Sequence, residues 1–151
     1  MPDRISKPAK TAPRVLIVDD NNAGLAARRM VLEEVGFTVH AVNGAALALE
    51  VFQERAFELV VTDFKMPGMN GIELIAALRA LAPTLPIILL SGYVDALGLT
   101  EKSTGANAVI MKSANEISQL VRTATRLIDL KPARKPPSAS SPRPRRKAAS
   151  S

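Results

Sequence analysis

The sequence contains no cysteine and no tryptophan, and its 151 residues include one histidine, one tyrosine and four phenylalanines. Without cysteine there are no disulfides, no thiol nucleophile and no cysteine metal centre. A single histidine, His40, excludes histidine-cluster metal sites, and His40 itself reads as a surface residue on an edge strand. So few aromatics argue against a stacking surface for single-stranded nucleic acid. No apolar run approaches the ~18 residues of a membrane span. The first residues, MPDRISKPAKTAPR, lack the apolar stretch of a signal peptide. These absences predict a soluble cytoplasmic protein with no membrane insertion.

Apolar residues are plentiful, at 47%, enough for one packed interior in a chain of this length. The net charge of +6 is unevenly spread. Residues 1–13 carry +2 and residues 131–151 carry +7, whereas 14–130 carry −3. The tail KPARKPPSASSPRPRRKAASS has no apolar residue larger than alanine. It cannot bury enough surface to offset its ordering entropy, so disorder is predicted there and over 1–13. Two readings of the tail stand side by side: a solubilising extension, or an electrostatic handle for nucleic acid, acidic lipid or an acidic partner. Nothing in it reads bases, so nucleic-acid binding through it would be weak and salt-dependent.

Between the ends, short apolar runs alternate with longer amphipathic ones. RVLIVD (14–19), TVHAV (38–42), ELVVTD (58–63), PIILLS (86–91) and NAVIMK (107–112) read as buried parallel strands. Four stretches have helical spacing: Leu25, Met30, Leu32 and Val35; Ala45, Leu47, Leu49, Val51 and Phe52; Ile72, Leu74, Ile75, Leu78 and Leu81; Ile117, Leu120, Val121, Ala124, Leu127 and Ile128. A helix over about 94–104 is the weakest expectation, because Gly98 interrupts it. Five strands alternating with five helices predict an α/β, doubly wound, five-stranded parallel sheet over 14–130. Ligands of such sheets gather at the carboxyl ends of the strands.

Polar residues fall at that edge. Asp19 and Asp20 end the first strand, Asp63 the third, Ser91 the fourth and Lys112 the fifth. Each has an ordinary reading. Asp20 or Asn21 caps a helix, Asp63 starts a turn before Met-Pro-Gly, Ser91-Gly92 forms a turn and Lys112 reaches solvent. Met66 and Met69 read as loop packing. Together they suggest chemistry. Three clustered carboxylates repel one another unless a cation sits among them. An all-oxygen donor set suits Mg²⁺, and Lys112 adds a second positive charge. Such a site can transfer a phosphoryl group to a carboxylate nucleophile.

The stretch DFKMPGMNG from Asp63 to Gly71 resembles the phosphoacceptor loop of bacterial response-regulator receivers. The Asp19-Asp20 pair resembles their metal-binding pair, and Ser91 and Lys112 fall in the family's order. The resemblance covers residues 14–130. It implies a flavodoxin-like receiver fold with strand order 2-1-3-4-5. It also implies that Asp63 becomes an aspartyl phosphate and that Asp20 ligates Mg²⁺, with Asp19 helping through the metal or its waters. The backbone carbonyl of Lys65 is implied as a further ligand. Ser91 is implied to hydrogen-bond a phosphoryl oxygen, and Lys112 to pair with the phosphate or with Asp63. The implied donor is a histidine kinase or a histidine phosphotransfer protein. Output would pass to an unknown protein target, with no enzymatic domain and no enzymatic activity of its own. The alternatives are a receiver-fold interaction module with little or no phosphorylation-dependent switching, and a basic-tail adaptor for nucleic acid.

Two positions depart from the family. Receivers usually have proline after the strand-end lysine, often held cis; here it is Ser113. A cis bond before a non-proline residue costs about 2.5–4 kcal/mol, so a trans loop is expected, with the Lys112 ammonium or the loop's outer surface moved. Family members commonly carry Tyr or Phe three residues before the lysine, where this chain has Val109. Any switch would then use another element, such as the loop carrying Tyr93 or the fourth helix.

Overall fold

The computed structural model describes residues 12–129. The terminal extensions expected over 1–13 and 131–151 lie outside the described residues, apart from Ala12 and Pro13. In chain order the elements are β1 (Arg14–Val18), α1 (Asn22–Glu34), β2 (Thr38–Val42), α2 (Ala45–Glu54), β3 (Leu59–Asp63) and α3 (Gly71–Leu81). They continue with β4 (Ile87–Ser91), the single turns α4 (Val94–Leu97) and α5 (Glu101–Thr104), β5 (Ala108–Met111) and α6 (Glu116–Asp129).

The five strands are parallel, in the order β2-β1-β3-β4-β5. Every residue of β3 and β4 is buried, as continuous apolar runs in a sheet covered on both faces require. Edge strands β2 and β5 are only partly buried. Because side chains alternate along a strand, each strand feeds two cores. Leu16, Val18, Val60, Ile87 and Leu89 pack with Ala48, Leu74, Ile75 and Leu78 of α2 and α3. Val15, Ile17, Leu59, Val61, Ile88 and Leu90 pack with Leu25, Leu32, Leu120 and Ala124 of α1 and α6. Met66 joins the first core and Met69 packs against it, as loop packing predicts.

Several expected core positions are exposed. Met30, Val35, Leu47 and Leu81 all face solvent. The buried stripe of α1 runs Leu25, Arg28, Leu32, three or four residues apart. Met30 falls off that stripe, and Val35 is the C-cap beyond the last turn. On α2 the buried positions are Ala45, Ala48 and Val51, spaced by three, and Leu47 lies off them. Leu81 ends α3 against its own C-cap. His40 is half-buried rather than a plain surface residue, its ring edge-on to Phe57 at 6.1 Å.

The region expected as a fourth helix is two separate turns. Gly98 adopts φ +62°, which ends α4, and the chain is recapped when the Thr100 hydroxyl accepts the Ser103 N–H. No peptide bond among the described residues is cis, so the Lys112–Ser113 bond is trans as expected.

Candidate functional site

The carboxyl ends of β1, β3, β4 and β5 surround a cleft of about 700 Å³. Asp19 follows β1 directly, its amide donating to Val42 O across the sheet (3.2 Å). Its carboxylate is fixed at both oxygens: Oδ1 accepts the Asn21 N–H at 2.9 Å, and Oδ2 accepts from the Arg28 guanidinium. Asp20, the next residue, is exposed. Asn21 caps α1 by accepting the Gly24 N–H, so the capping role considered for Asp20 or Asn21 belongs to Asn21.

Asp63 ends β3 with 5% exposure. The loop after it turns through Gly68 at φ +78° and closes when the Gly71 N–H donates to Phe64 O at 2.7 Å. The turn packs so tightly that a Cβ on Gly71 would lie 2.4 Å from Asp63 O. Beyond it, Asn70 and Glu73 form a reciprocal capping box that starts α3. Ser91 is buried at the end of β4, and its Oγ accepts the Tyr93 N–H at 2.9 Å, which leaves its own proton free to donate into the cleft. Lys112 follows β5 and is anchored by its N–H to Ser91 O at 2.9 Å.

The candidate site residues Asp19, Asp20, Asp63, Lys65, Ser91 and Lys112 all line one cleft. One carboxylate oxygen from each of Asp19, Asp20 and Asp63 lies within 4.8 Å of the others. Lys112 Nζ sits 2.5 Å from Asp63 Oδ1, so the trans bond before Ser113 has not drawn the ammonium away. The Lys65 side chain turns aside, its Nζ 3.3 Å from the Tyr93 hydroxyl and 5.4 Å from the ring centroid. Val109, where an aromatic ring was absent, is half-buried against the core. Burial raises the pKa of the Asp63 carboxyl; the Lys112 hydrogen bond opposes this, and the charge of Asp19 reinforces it.

Arg28 is the residue that sequence reasoning missed. It is 6% exposed and bridges Asp19 to Glu116 at the start of α6, with Nε 2.5 Å from Glu116 Oε2. Burial works against its charge, but the two carboxylates outweigh that and raise its pKa. The available signal was positional: Arg28 lies on the same helical stripe as Leu25 and Leu32.

The residues present fit a divalent cation. Four acids, Asp19, Asp20, Asp63 and Glu116, meet two ion-paired cations, Arg28 and Lys112, with the Lys65 ammonium turned aside to Tyr93, so acid outnumbers base at the site and a divalent ion would offset the excess. Among the described residues Asp20 has no ion-pair partner, every candidate donor is an oxygen, and one acid is exposed to the cleft. Hard cations of the magnesium type take this kind of donor set.

Comparisons with known proteins agree with this geometry. The chain is similar to GacS, named a sensor protein in Pseudomonas syringae pv. syringae (42% identical over 87 residues) and a sensor histidine kinase in Pseudomonas protegens (39% over 97). Those matches cover 54% and 58% of this chain but only 10% and 11% of the relatives. The C4-dicarboxylate transport transcriptional regulatory protein DctD of Rhizobium meliloti is 38% identical over 84 residues, 56% of this chain and 18% of that protein. The chain thus spans less than a fifth of the length of these curated relatives. Among solved structures, the response regulator TrrA of Thermotoga maritima, in complex with Mg(2+)-BeF, superposes with a TM-score of 0.69 at 27% identity. That match covers 76% of this chain and 98% of TrrA's. The model of the response regulator receiver domain matches residues 15–124. The chain, with its five-stranded 2-1-3-4-5 sheet and its acidic strand-end cleft, belongs to the response regulator receiver domain family.

Proposed function

We propose that this receiver domain accepts a phosphoryl group on Asp63 in a two-component phosphorelay, with Mg²⁺ as cofactor, and passes the signal on by protein–protein contact. The observation that carries the reading is the Lys112 ammonium on Asp63 Oδ1, beside two further acids within 4.8 Å. A buried carboxylate flanked by a fixed cation and by an all-oxygen cation site is equipped for in-line attack on phosphorus. The Asp63 oxygen forms the new bond to phosphorus as the donor's P–N bond breaks, and the electron pair leaves on the imidazole nitrogen, which takes up a proton.

Asp20, Asp63 and the Lys65 backbone carbonyl would hold the metal, with Asp19 acting through it or its waters. When bound, the ion neutralises charge on the phosphoryl oxygens. Ser91 donates its hydroxyl proton to one phosphoryl oxygen, and Lys112 transfers its ion pair from the carboxylate to the phosphate. The exposed position of Asp20 at the cleft mouth, with the buried Asp19 behind it, supports this division of roles.

The donor is a histidine kinase or a histidine phosphotransfer protein, a reading supported by the likeness to GacS. A donor charged from ATP goes with a cytoplasmic location for the chain. Among the described residues no helix is long and apolar enough to cross a membrane. The domain is a phosphorylated signalling module rather than an enzyme that turns over a separate substrate.

The test is labelling of the full chain with radioactive acetyl phosphate and Mg²⁺. Wild type incorporates label only when Mg²⁺ is present and takes up none if a chelator is added before the donor, whereas Asp63→Asn takes up none in either case. Undiminished labelling of Asp63→Asn would reject Asp63 as the acceptor.

A further inference from the structure

Arg28 is a buried cation on α1 that touches one acid of the proposed metal site and one acid outside it. Its guanidinium contacts Asp19 Oδ2 and Glu116 Oε2, with side-chain exposures of 7% for Arg28, 1% for Asp19 and 12% for Glu116. Glu116 is the first residue of α6 and lies four positions after Lys112, so one guanidinium ties α1, the end of β1 and the start of α6. Gly24 makes room for it: a Cβ there would lie 2.9 Å from Arg28 Nη1 and 3.3 Å from Asp19 Oδ2.

We propose that Arg28 is a positioning residue that couples the divalent-cation site to the first turn of α6, so that cation affinity depends on Glu116, which does not line the cleft. The inference rests on the function proposed above. Both oxygens of Asp19 are engaged, Oδ1 by the Asn21 N–H and Oδ2 by Arg28, so an ion drawing on Asp19 must share it with the guanidinium. Arginine cannot give up its proton. Nor can it leave readily. Lys112, at 31% exposure, can swing into solvent, but Arg28 is enclosed and forked between two acids. Its charge can only redistribute between them. A second positive charge near Asp19 pushes the guanidinium toward Glu116 and tightens its hold on α6. Removing the charge of Glu116 has the opposite effect, leaving the whole guanidinium on Asp19 against the incoming ion. By reciprocity, a partner that pulls on the first turn of α6 changes cation affinity by the same factor.

The experiment is a calorimetric Mg²⁺ titration of the full chain at low ionic strength, as wild type, Glu116→Gln, Arg28→Met and the double variant. Glu116→Gln is expected to weaken binding by about fivefold, the lower end of coupling between distinct sites. In the Arg28→Met background the same substitution should change affinity less than about twofold, since the shared cation is gone. Equal weakening in both backgrounds would mean that Glu116 acts by its long-range field alone and would overturn the proposal. An unchanged affinity in Glu116→Gln would overturn it too.

A second readout needs no core variant that might fail to fold. The Arg28 Nε–H resonance of ¹³C,¹⁵N-labelled wild type, assigned through its own side-chain carbons, should shift as Mg²⁺ is added, with the calorimetric midpoint. A resonance that stays still through saturation refutes the coupling. The two readings fail differently. If wild type takes up no magnesium, the proposed function falls and this inference with it. If magnesium binds and Glu116→Gln is silent, only the inference is lost.

Discussion

Asp63 bears a cost in the fold that its chemistry explains. Burial raises its pKa, and the neighbouring charge of Asp19 adds to that, more than the Lys112 contact offsets. A carboxyl that binds its proton more tightly in the fold than in the unfolded chain favours folding at low pH. That contribution is fully present below the ordinary carboxylate pKa and is lost as pH rises through the raised folded value. At neutral pH without metal, Asp63→Asn should therefore stabilise the domain. Urea unfolding across pH checks it: the gain should shrink as pH falls toward the ordinary carboxylate value. A variant less stable than wild type at neutral pH would contradict it.

Gly71 is the other residue on which the acceptor depends. A methyl group there would meet Asp63 O at 2.4 Å and Phe64 Cα at 2.9 Å, both backbone atoms that cannot step aside. Gly71→Ala should cost about 2 kcal/mol by overpacking and slow labelling of Asp63 by acetyl phosphate. Urea unfolding and the labelling rate check the two effects. At this scale Asp19, Asp20, Asp63, Ser91 and Lys112 were legible because each interrupts an apolar run at one sheet edge. Arg28 was not, because an arginine followed by Arg29 on a helix looks like a solvated face. Its spacing from Leu25 and Leu32 was the one hint, and the packing of α1 against α6 shows that the buried stripe passes through it.

At the scale of elements, the strands were readable as short apolar runs, and the two that lead to Asp63 and Ser91 are buried along their whole length. The region after Ser91 was harder to read. A single glycine at φ +62° and a threonine recap divide what the pattern offers as one helix, and both depend on backbone conformation more than on apolar spacing. Arg79 near the end of α3 was also invisible as a structural piece. It donates to the carbonyls of Pro83, Leu85 and Gly105 and to Asn107 Oδ1, joining α3 to the loops before β4 and β5. Asn107 in turn accepts the Ile87 N–H at 2.8 Å. Arg79→Ala should cost about 2 kcal/mol, given charged hydrogen bonds to several acceptors. It should also speed amide exchange at Ile87 and Asn107, which exchange mass spectrometry reads. Unchanged exchange there would remove Arg79 from that role.

At the scale of the molecule, five parallel strands deliver one acidic pair, one acceptor, one hydroxyl and one ammonium to a single edge. The acids come together because the chain order and the sheet order differ: β1 lies between β2 and β3, which sets Asp19 and Asp20 beside Asp63. The order itself was legible only through the resemblance of the acceptor loop and the strand-end residues to receivers. Apolar periodicity predicts strands but not which of them are neighbours. Asp63 as the phosphoryl acceptor is tested most directly by treating the full chain with acetyl phosphate and Mg²⁺, reducing it with borohydride, and sequencing its peptides by mass spectrometry. The predicted result is homoserine, the reduction product of an aspartyl phosphate, at position 63. Homoserine at another aspartate, or at none under saturating donor and metal, would contradict the account.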